Sequence, residues 1–149
     1  MNVMEAGLCM PRYEKTTDLD NELAAVKTFG AAMGYGYAKK QGMISYDFDL
    51  FKGDDVAAYA EVKVRSNKHD KYPTTMIRQS KVDAANDRLL KTGLQTFLIV
   101  QWKDLLGWCV MTGEWKVEKA GRYDRNDRND LGLHAFIPLE AFGFIDVTK

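Results

Sequence analysis

Two stretches of alternating apolar and charged residues, separated by a turn, constrain the fold of this chain more than any other feature. The first covers residues 44–50, the second covers residues 56–64, and Lys52-Gly53-Asp54-Asp55 lies between them. Successive side chains of a strand point to opposite faces, so this pattern predicts a β-hairpin with one apolar face. The other face would carry acids and a lysine at the centre of the hairpin, where a folded protein seldom puts them without a use.

The apolar face of the hairpin is predicted to belong to the core. It comprises Ile44, Tyr46, Phe48 and Leu50 in the first strand and Ala58, Ala60, Val62 and Val64 in the second. The opposite face carries Asp47, Asp49, Glu61 and Lys63. A three-residue loop would set Asp47 opposite Glu61, which slightly favours Asp47 as its partner. The same loop would set Asp49 opposite Tyr59, whereas a four-residue loop would mismatch the faces unless a bulge corrected it.

Length and composition indicate one globular domain over residues 1–149. Apolar residues make up 46% and charged residues 28%, as in ordinary soluble proteins, and no apolar run is long enough to span a bilayer. The first eleven residues lack the basic start and the apolar stretch of a signal peptide. Cys9 and Cys109 lack metal-ligand spacing and are expected to be free thiols. We therefore expect a cytoplasmic protein with no membrane partner.

The formal net charge of zero argues against a protein held on nucleic acid by bulk charge. A local basic stretch nevertheless follows the second strand, with Asp70 as its one acid and with His69 among its members: Lys63, Arg65, Lys68, Lys71, Arg78 and Lys81. A phosphate backbone would lie along such a stretch if the strand carried an active site. The alternative is a solvated charged loop.

The remaining pattern predicts a mixed α/β domain in the order helix, strands, helix, strands. Asp18 would cap the first helix, whose apolar stripe is Leu19, Leu23, Val26, Gly30, Met33 and Tyr37, and glycines at 34, 36 and 42 would weaken and end it. A second helix is predicted over residues 76–91, closed by Gly93. Further strands are predicted over 96–102 and 107–112, a long loop over 114–130, and a short helix or extended piece over 137–142.

Clustered carboxylates of this kind bind hard divalent cations such as Mg²⁺, which keeps several waters and is often completed by substrate phosphate. A lysine beside such a metal can hold the attacking water and offset charge on phosphorus. Asp47 or Asp49 would supply this set together with Glu61 and Lys63, and Glu22 could add an outer ligand or hold a water. Gln79 and Lys81 could contact phosphate or water from the second helix. The alternatives are a solvated hairpin face with a Glu–Lys ladder, and plain surface polarity for the helix residues.

At this point the residues resemble the PD-(D/E)xK nuclease superfamily. The matching order is a helix acid (Glu22), a strand aspartate, a Glu-x-Lys strand (61–63) and a helix with polar residues (Gln79, Lys81). The strand Glu61-Val62-Lys63-Val64-Arg65 looks much like that of archaeal Holliday junction resolvases. Residues 71–77, 121–130 and 137–139 are similar to small phage-encoded members. The sequence departs from the pattern in lacking a proline before either aspartate.

The resemblance implies a restriction-endonuclease-like fold, a mixed β-sheet flanked by α-helices, and a metal-dependent phosphodiesterase site. An aspartate (47 or 49), Glu61 and the Val62 carbonyl would be the ligands of Mg²⁺, for which Mn²⁺ would substitute, and Lys63 would orient the water. The expected activity is that of an endodeoxyribonuclease acting on branched or structured DNA or in phage DNA processing, in the host cytoplasm if the chain is phage-encoded.

Three questions are left open by the sequence. The same fold could serve a non-catalytic nucleic-acid-binding or assembly module, or an RNA-directed nuclease. A homodimer is one option, because junction resolvases cut two strands symmetrically. Arg122, Arg125 and Arg128 could grip a nucleic-acid backbone or pair with the acids between them. His134 is expected to be structural rather than catalytic.

Overall fold

The structure, a computed structural model, describes residues 16–41, 46–120 and 132–145. In chain order its elements are α1 (Thr16–Met33), β1 (Gly36–Lys39), β2 (Phe48–Lys52), β3 (Asp55–Val64), β4 (Thr74–Arg78), α2 (Gln79–Thr92), β5 (Thr96–Gln101), β6 (Leu106–Val110), β7 (Lys116–Ala120), β8 (Gly132–Pro138), a 3₁₀ turn (Leu139–Ala141) and β9 (Gly143–Ile145). Within these ranges no helix has the length and apolar character needed to cross a membrane.

The main sheet is mixed and has six strands in the order β9-β6-β5-β3-β2-β1. Strands β3 and β5 run parallel, and every other neighbouring pair is antiparallel. A parallel pair needs a crossover connection, and the segment that contains β4 and α2 supplies it. A second, three-stranded antiparallel sheet has the order β4-β8-β7. The predicted mixed α/β fold with flanking helices is therefore confirmed.

Strand β3 lies inside the main sheet and is covered on both faces. Helix α1 packs Ala25, Val26 and Phe29 against one face, together with the apolar residues Phe48, Leu50, Ala58, Ala60 and Val62. On the other face, α2 and the second sheet pack against β5 and β6 through Val82, Ala85, Leu98, Val100, Ala135 and Ile137. The predicted core positions of β3 are confirmed except for Val64, which is 39% exposed at the end of the strand.

The hairpin register agrees with the prediction at Asp49. Asp49 pairs with Tyr59, as a three-residue loop would give. The turn itself is shorter, because Lys52 pairs with Asp55 and leaves only two residues between them, and a register shift between Leu50 and Phe51 compensates for the difference. The irregularity restores the face alternation that the two-residue turn would otherwise have broken.

The first helix ends earlier than predicted. Gly34 has a φ of +83°, and the N–H groups of Gly34 and Tyr35 both donate to the carbonyl of Gly30, at 2.8 and 2.9 Å. A glycine in this conformation stops a helix after Met33, and the chain then forms β1, so the predicted helical position of Tyr37 is wrong. The helix also begins at Thr16 rather than after Asp18. Gly42, the predicted last stop, lies outside the described residues.

The second helix begins later than predicted, because residues 74–78 form β4. Thr75 and Ile77 are buried while Met76 and Arg78 are exposed, which is the alternation of a strand. Pairing with β8 supplies the hydrogen bonds that a helix would have made locally. The predicted end is confirmed: Gly93 has a φ of +75° and its N–H donates to the Leu89 carbonyl at 2.8 Å. Strand β7 lies within the predicted long loop, whose residues 121–130 are outside the described part of the chain.

We expect Gly30→Ala to destabilise the fold, although alanine normally stabilises a helix interior by about 0.5–1 kcal/mol over glycine. A Cβ at this position would lie 2.5 Å from the backbone carbonyl oxygen of Tyr35. Relieving that overlap requires the α1–β1 connection to move, at a cost of about 1–3 kcal/mol. Urea denaturation of the two proteins measures the difference, and a Gly30→Ala variant as stable as the parent would contradict the proposed close approach.

Candidate active site

Glu61 lies at the centre of the site, on β3, and is only 2% exposed. Its Oε2 is 3.4 Å from Lys63 Nζ on the same strand, and its Oε1 is 3.4 Å from Lys81 Nζ on α2. Burial raises the pKa of Glu61, and the negative charge of Asp47 raises it further, while the two lysines oppose these effects. The alternative of a solvated hairpin face is therefore wrong at this position, since α2 covers it.

Asp47 precedes β2 and reaches the backbone of β3. Its N–H donates to the Ala60 carbonyl at 2.9 Å, and its Oδ2 accepts a hydrogen bond from the Val62 N–H at 2.8 Å. The ladder between β2 and β3 ends at Ala60, so the side chain of Asp47 takes the place of a backbone acceptor. This contact fixes the carboxylate beside Glu61, close enough for its charge to act on the Glu61 pKa.

Glu22 of α1 reaches this site through a lysine that sequence reasoning did not single out. Lys39 Nζ is 3.5 Å from Glu22 Oε1 and 3.9 Å from Asp47 Oδ1. Lys39 lies on β1, which the sequence pattern assigned to the helix region. The helix acid, the strand aspartate and the β3 glutamate thus lie in one cluster with three lysines, and their charges balance.

Asp49 lies on the same face but has different neighbours. Its Oδ1 accepts a hydrogen bond from the Tyr46 hydroxyl at 2.8 Å, and its Oδ2 is 3.5 Å from Lys40 Nζ. The prediction that Tyr46 joins the apolar face is therefore wrong. Tyr46 precedes β2, so strand alternation does not extend to it, and its ring packs 4.7 Å from that of Tyr59. The two aspartates thus have separate surroundings, and Asp47 is the one beside Glu61.

Arg88 on α2 packs on the tyrosine that donates to Asp49, and it was not identified from the sequence. The guanidinium of Arg88 lies over the rings of Tyr46 and Tyr59, at 4.6 and 5.5 Å from their centroids. Its Nη2 donates to Thr96 Oγ1 at 3.0 Å. Burial and the hydrogen bond to Asp49 raise the pKa of Tyr46, which keeps the hydroxyl protonated. Tyr59 could have been found from the sequence, because alternation puts it on the face of Glu61.

The basic stretch divides between the site and its surroundings. Lys81 contacts Glu61, as described, whereas Gln79 donates from Nε2 to Asp83 Oδ1 at 2.9 Å. Arg65 continues the face of Lys63 and donates from Nη2 to the Met76 carbonyl at 3.3 Å. Three further cations of the stretch have exposed side chains: Lys68, Lys71 and Arg78.

The remaining sequence candidates fall outside the cluster. His134 is 7% exposed on β8, and its Nδ1 lies 3.0 Å from the Gly132 carbonyl oxygen, which agrees with a structural role. Burial raises the pKa of the Cys109 thiol to about 12, so it stays protonated. Cys9, Arg122, Arg125 and Arg128 lie outside the described residues.

Two carboxylates and a backbone carbonyl could hold a divalent cation here. In the part of the chain that the structure describes, no three His, Cys, Asp or Glu side chains form a ready metal cluster. Mg²⁺ does not require one, since it is usually bound by one or two carboxylates and completed by waters and substrate phosphates. Glu61 Oε1 is buried and makes no regular hydrogen bond, although Lys81 lies beside it as an ion-pair partner. Glu61 and Asp47 therefore fit the one or two carboxylates that such an ion needs.

Comparisons with known proteins place these residues in a family. A solved structure similar to the chain is that of "Archaeoglobus fulgidus Hjc, a Holliday junction resolvase from an archaeal hyperthermophile", with 11% identity over 62% of this chain and 76% of that chain, and a TM-score of 0.46. No curated protein matches the chain in sequence. The family model described as "Phage putative PDDEXK endonuclease" matches residues 8–145. The chain therefore belongs to this phage PD-(D/E)xK endonuclease family.

Proposed function

We propose that this protein is a Mg²⁺-dependent DNA endonuclease in which Asp47 and Glu61 are the principal metal ligands and the Val62 carbonyl contributes. The observation that carries the proposal is the buried Glu61 carboxylate, flanked by Asp47 and by two lysines at 3.4 Å. Burying a carboxylate carries a desolvation penalty, so a buried ion pair is weak evidence of a stabilising role. Buried carboxylates with a raised pKa are instead typical of sites that bind a cation or catalyse a reaction. Membership of the endonuclease family supports the same conclusion.

The bound metal would polarise the scissile phosphate and lower the pKa of a water molecule. Lys63, fixed by its ion pair with Glu61, orients the attacking water toward phosphorus. Attack forms a phosphorus–oxygen bond to the water, which loses a proton to solvent, and breaks the bond to the leaving sugar oxygen, which takes up a proton from solvent. Lys81 offsets the negative charge that develops on the phosphate oxygens. Glu22, held at Asp47 through Lys39, contributes an outer contact or holds a water.

Asp49 plays a lesser part in this proposal. Its carboxylate already accepts a hydrogen bond from Tyr46 and lies beside Lys40, while Arg88 closes that side of the site. We infer that the Asp49 carboxylate contributes to the electrostatic field around the metal and is not a ligand of the metal.

Branched or structured DNA is the proposed substrate, either as such or during phage DNA processing. The likeness of residues 61–65 to the strand of junction resolvases supports it, as do the exposed cations that follow, Lys68, Lys71 and Arg78. A homodimer stays a prediction, which light scattering with and without a four-way junction would test.

We expect Glu61→Gln and Lys63→Met each to lower the cleavage rate by at least about 100-fold, because the first removes the charge of a metal ligand and the second removes the cation that orients the attacking water. The measurement is cleavage of duplex, nicked, flapped and four-way DNA, and of RNA, with Mg²⁺ or Mn²⁺. Glu118→Gln and Lys116→Met are matched controls, since that exposed ion pair of 2.9 Å lies on β7 away from the site. Loss of cleavage in the controls, or its survival in both site variants, would contradict the proposal.

The two aspartates give a sharper comparison. Asp47→Asn should reduce cleavage at least about tenfold more than Asp49→Asn, because only Asp47 is positioned against β3 beside Glu61. Rates are measured at saturating metal on the best substrate of the panel. Equal losses, or a greater loss in Asp49→Asn, would overturn the assignment of Asp47 as the metal ligand.

Metal binding can also be tested without cleavage, through stability. The pKa of Glu61 is raised in the folded state, so the folded protein binds the Glu61 proton more tightly than the unfolded chain does. The stability that this proton contributes is fully present below the unfolded pKa of about 4.3 and is lost as pH rises through the folded pKa. In EDTA, the Tm of the parent protein should therefore fall relative to Glu61→Gln as pH rises through that window.

Magnesium should reverse this difference near neutral pH. A ligand at 100 times its Kd stabilises by about 2.7 kcal/mol, and the gain should appear in the parent but not in Glu61→Gln. A Tm that Mg²⁺ leaves unchanged in the parent would exclude a metal site at Glu61.

A further inference from the structure

A groove of about 520 Å³ opens beside the end of β3. This volume is typical of sites that take small molecules. The lining mixes aromatic, apolar and polar side chains and includes Arg65, Asn67, Tyr72, Met76, Trp102 and Phe136. None of the carboxylates of the candidate active site lines it, so it is a separate feature that the proposed cleavage chemistry does not use.

The groove begins where the candidate active site ends. Arg65 follows Lys63 by two residues and therefore lies on the same face, about 7 Å further along. The Arg65 N–H donates to the Gln101 carbonyl at 2.8 Å, which continues the β3–β5 ladder to this point. This step is comparable to the spacing of adjacent phosphates in a nucleic-acid strand. A strand with one phosphate at Glu61 and Lys63 would thus bring its neighbouring nucleotide to the groove.

The lining suits a nucleobase better than it suits a phosphate. Tyr72 is 55% exposed and Met76 is 39% exposed, whereas Trp102 is 4% exposed and forms the floor. Binding through phosphates alone requires cations and no exposed aromatic ring. Aromatic rings beside cations are the combination that holds unstacked bases, because the rings stack on the base while the cations hold the backbone.

The cations stand at the edge of the same groove. Lys71 Nζ lies 5.4 Å from the centroid of the Tyr72 ring, and Lys68 is exposed between two lining residues, Asn67 and His69. Arg65 Nη2 donates to the Met76 carbonyl at 3.3 Å, which holds the guanidinium against another residue of the lining. An anionic backbone with an inserted base is complementary to this arrangement in both charge and polarity.

We propose that the groove takes an unstacked nucleobase adjacent to the scissile phosphate, between Tyr72 and Met76 and above Trp102. The inference rests on the proposed nuclease function and deepens it. The substrate class is then DNA with an unpaired nucleotide next to the cleaved bond. Such nucleotides occur in single strands, flaps and open junctions. Fully paired duplex would present no base to the groove.

A double-mutant cycle between protein and DNA tests this proposal. Binding of a short single-stranded oligonucleotide is measured in EDTA, so that no cleavage occurs, and each nucleotide in turn is replaced by an abasic residue. One abasic position should weaken binding to the parent protein by about tenfold, as expected for the loss of one base–aromatic stack. The same replacement should cost Tyr72→Ala little, because the ring that stacks on the base is already absent.

Two variants control for the loss of surface and of the hydroxyl. Tyr72→Phe keeps the ring and should retain the full effect of the abasic position, and Leu90→Ala removes an apolar side chain that is 86% exposed on α2 and should also retain it. If no abasic position affects the parent, or if its cost is the same in Tyr72→Ala, the groove does not bind a base.

Cleavage with Mg²⁺ separates this inference from the function on which it rests. Metal-dependent cleavage without coupling between Tyr72 and any base would overturn the groove proposal alone. Coupling in EDTA without cleavage under any metal would overturn the nuclease proposal and leave the groove as a base-binding site.

Discussion

Glu61 lies on the central strand with 2% of its surface exposed, and its two oxygens are each 3.4 Å from a lysine nitrogen. Removing an ionised carboxylate from water costs several kcal/mol unless partners compensate. Lys63 comes from the same strand, but Lys81 comes from α2, so the pairing requires that helix to lie over β3. The crossover between β3 and β5 brings α2 to this position. The ion pair between Glu61 and Lys81 therefore forms only when α2 packs over β3, so the charge balance of the site depends on how the helix and the sheet are layered.

The two faces of β3 are used differently as a result. The face toward α1 is apolar along Ala58, Ala60 and Val62 and contributes to the core. The face toward α2 carries Glu61 and Lys63 and then Arg65 at the edge of the groove. One strand thereby aligns a candidate metal site with a candidate base site, and the regular repeat of the strand sets the distance between them.

Sequence reasoning was wrong or incomplete where a residue's environment comes from distant parts of the chain. Residues 76–78 were assigned to the second helix because their strand partner β8 lies about sixty residues later in the sequence. Tyr46 was placed in the core because alternation was extended beyond the start of β2. Lys39 and Arg88 were missed since nothing local indicates that they meet Asp47 or Tyr46. Such contacts depend on packing, which local periodicity does not encode.

The sequence by itself determined the hairpin, the shared face of Glu61 and Lys63, and the stop at Gly93. These features follow from alternation and from backbone conformations that depend on a few neighbouring residues. Only the tertiary structure decided that Glu61 is buried, and it fixed Asp47, which the sequence had only slightly favoured, against the backbone of β3. It also decided that the groove with Tyr72 and Trp102 lies beside the end of β3, on the face that carries Glu61 and Lys63. Burial and proximity arise when distant elements pack together, so no single stretch of sequence contains them.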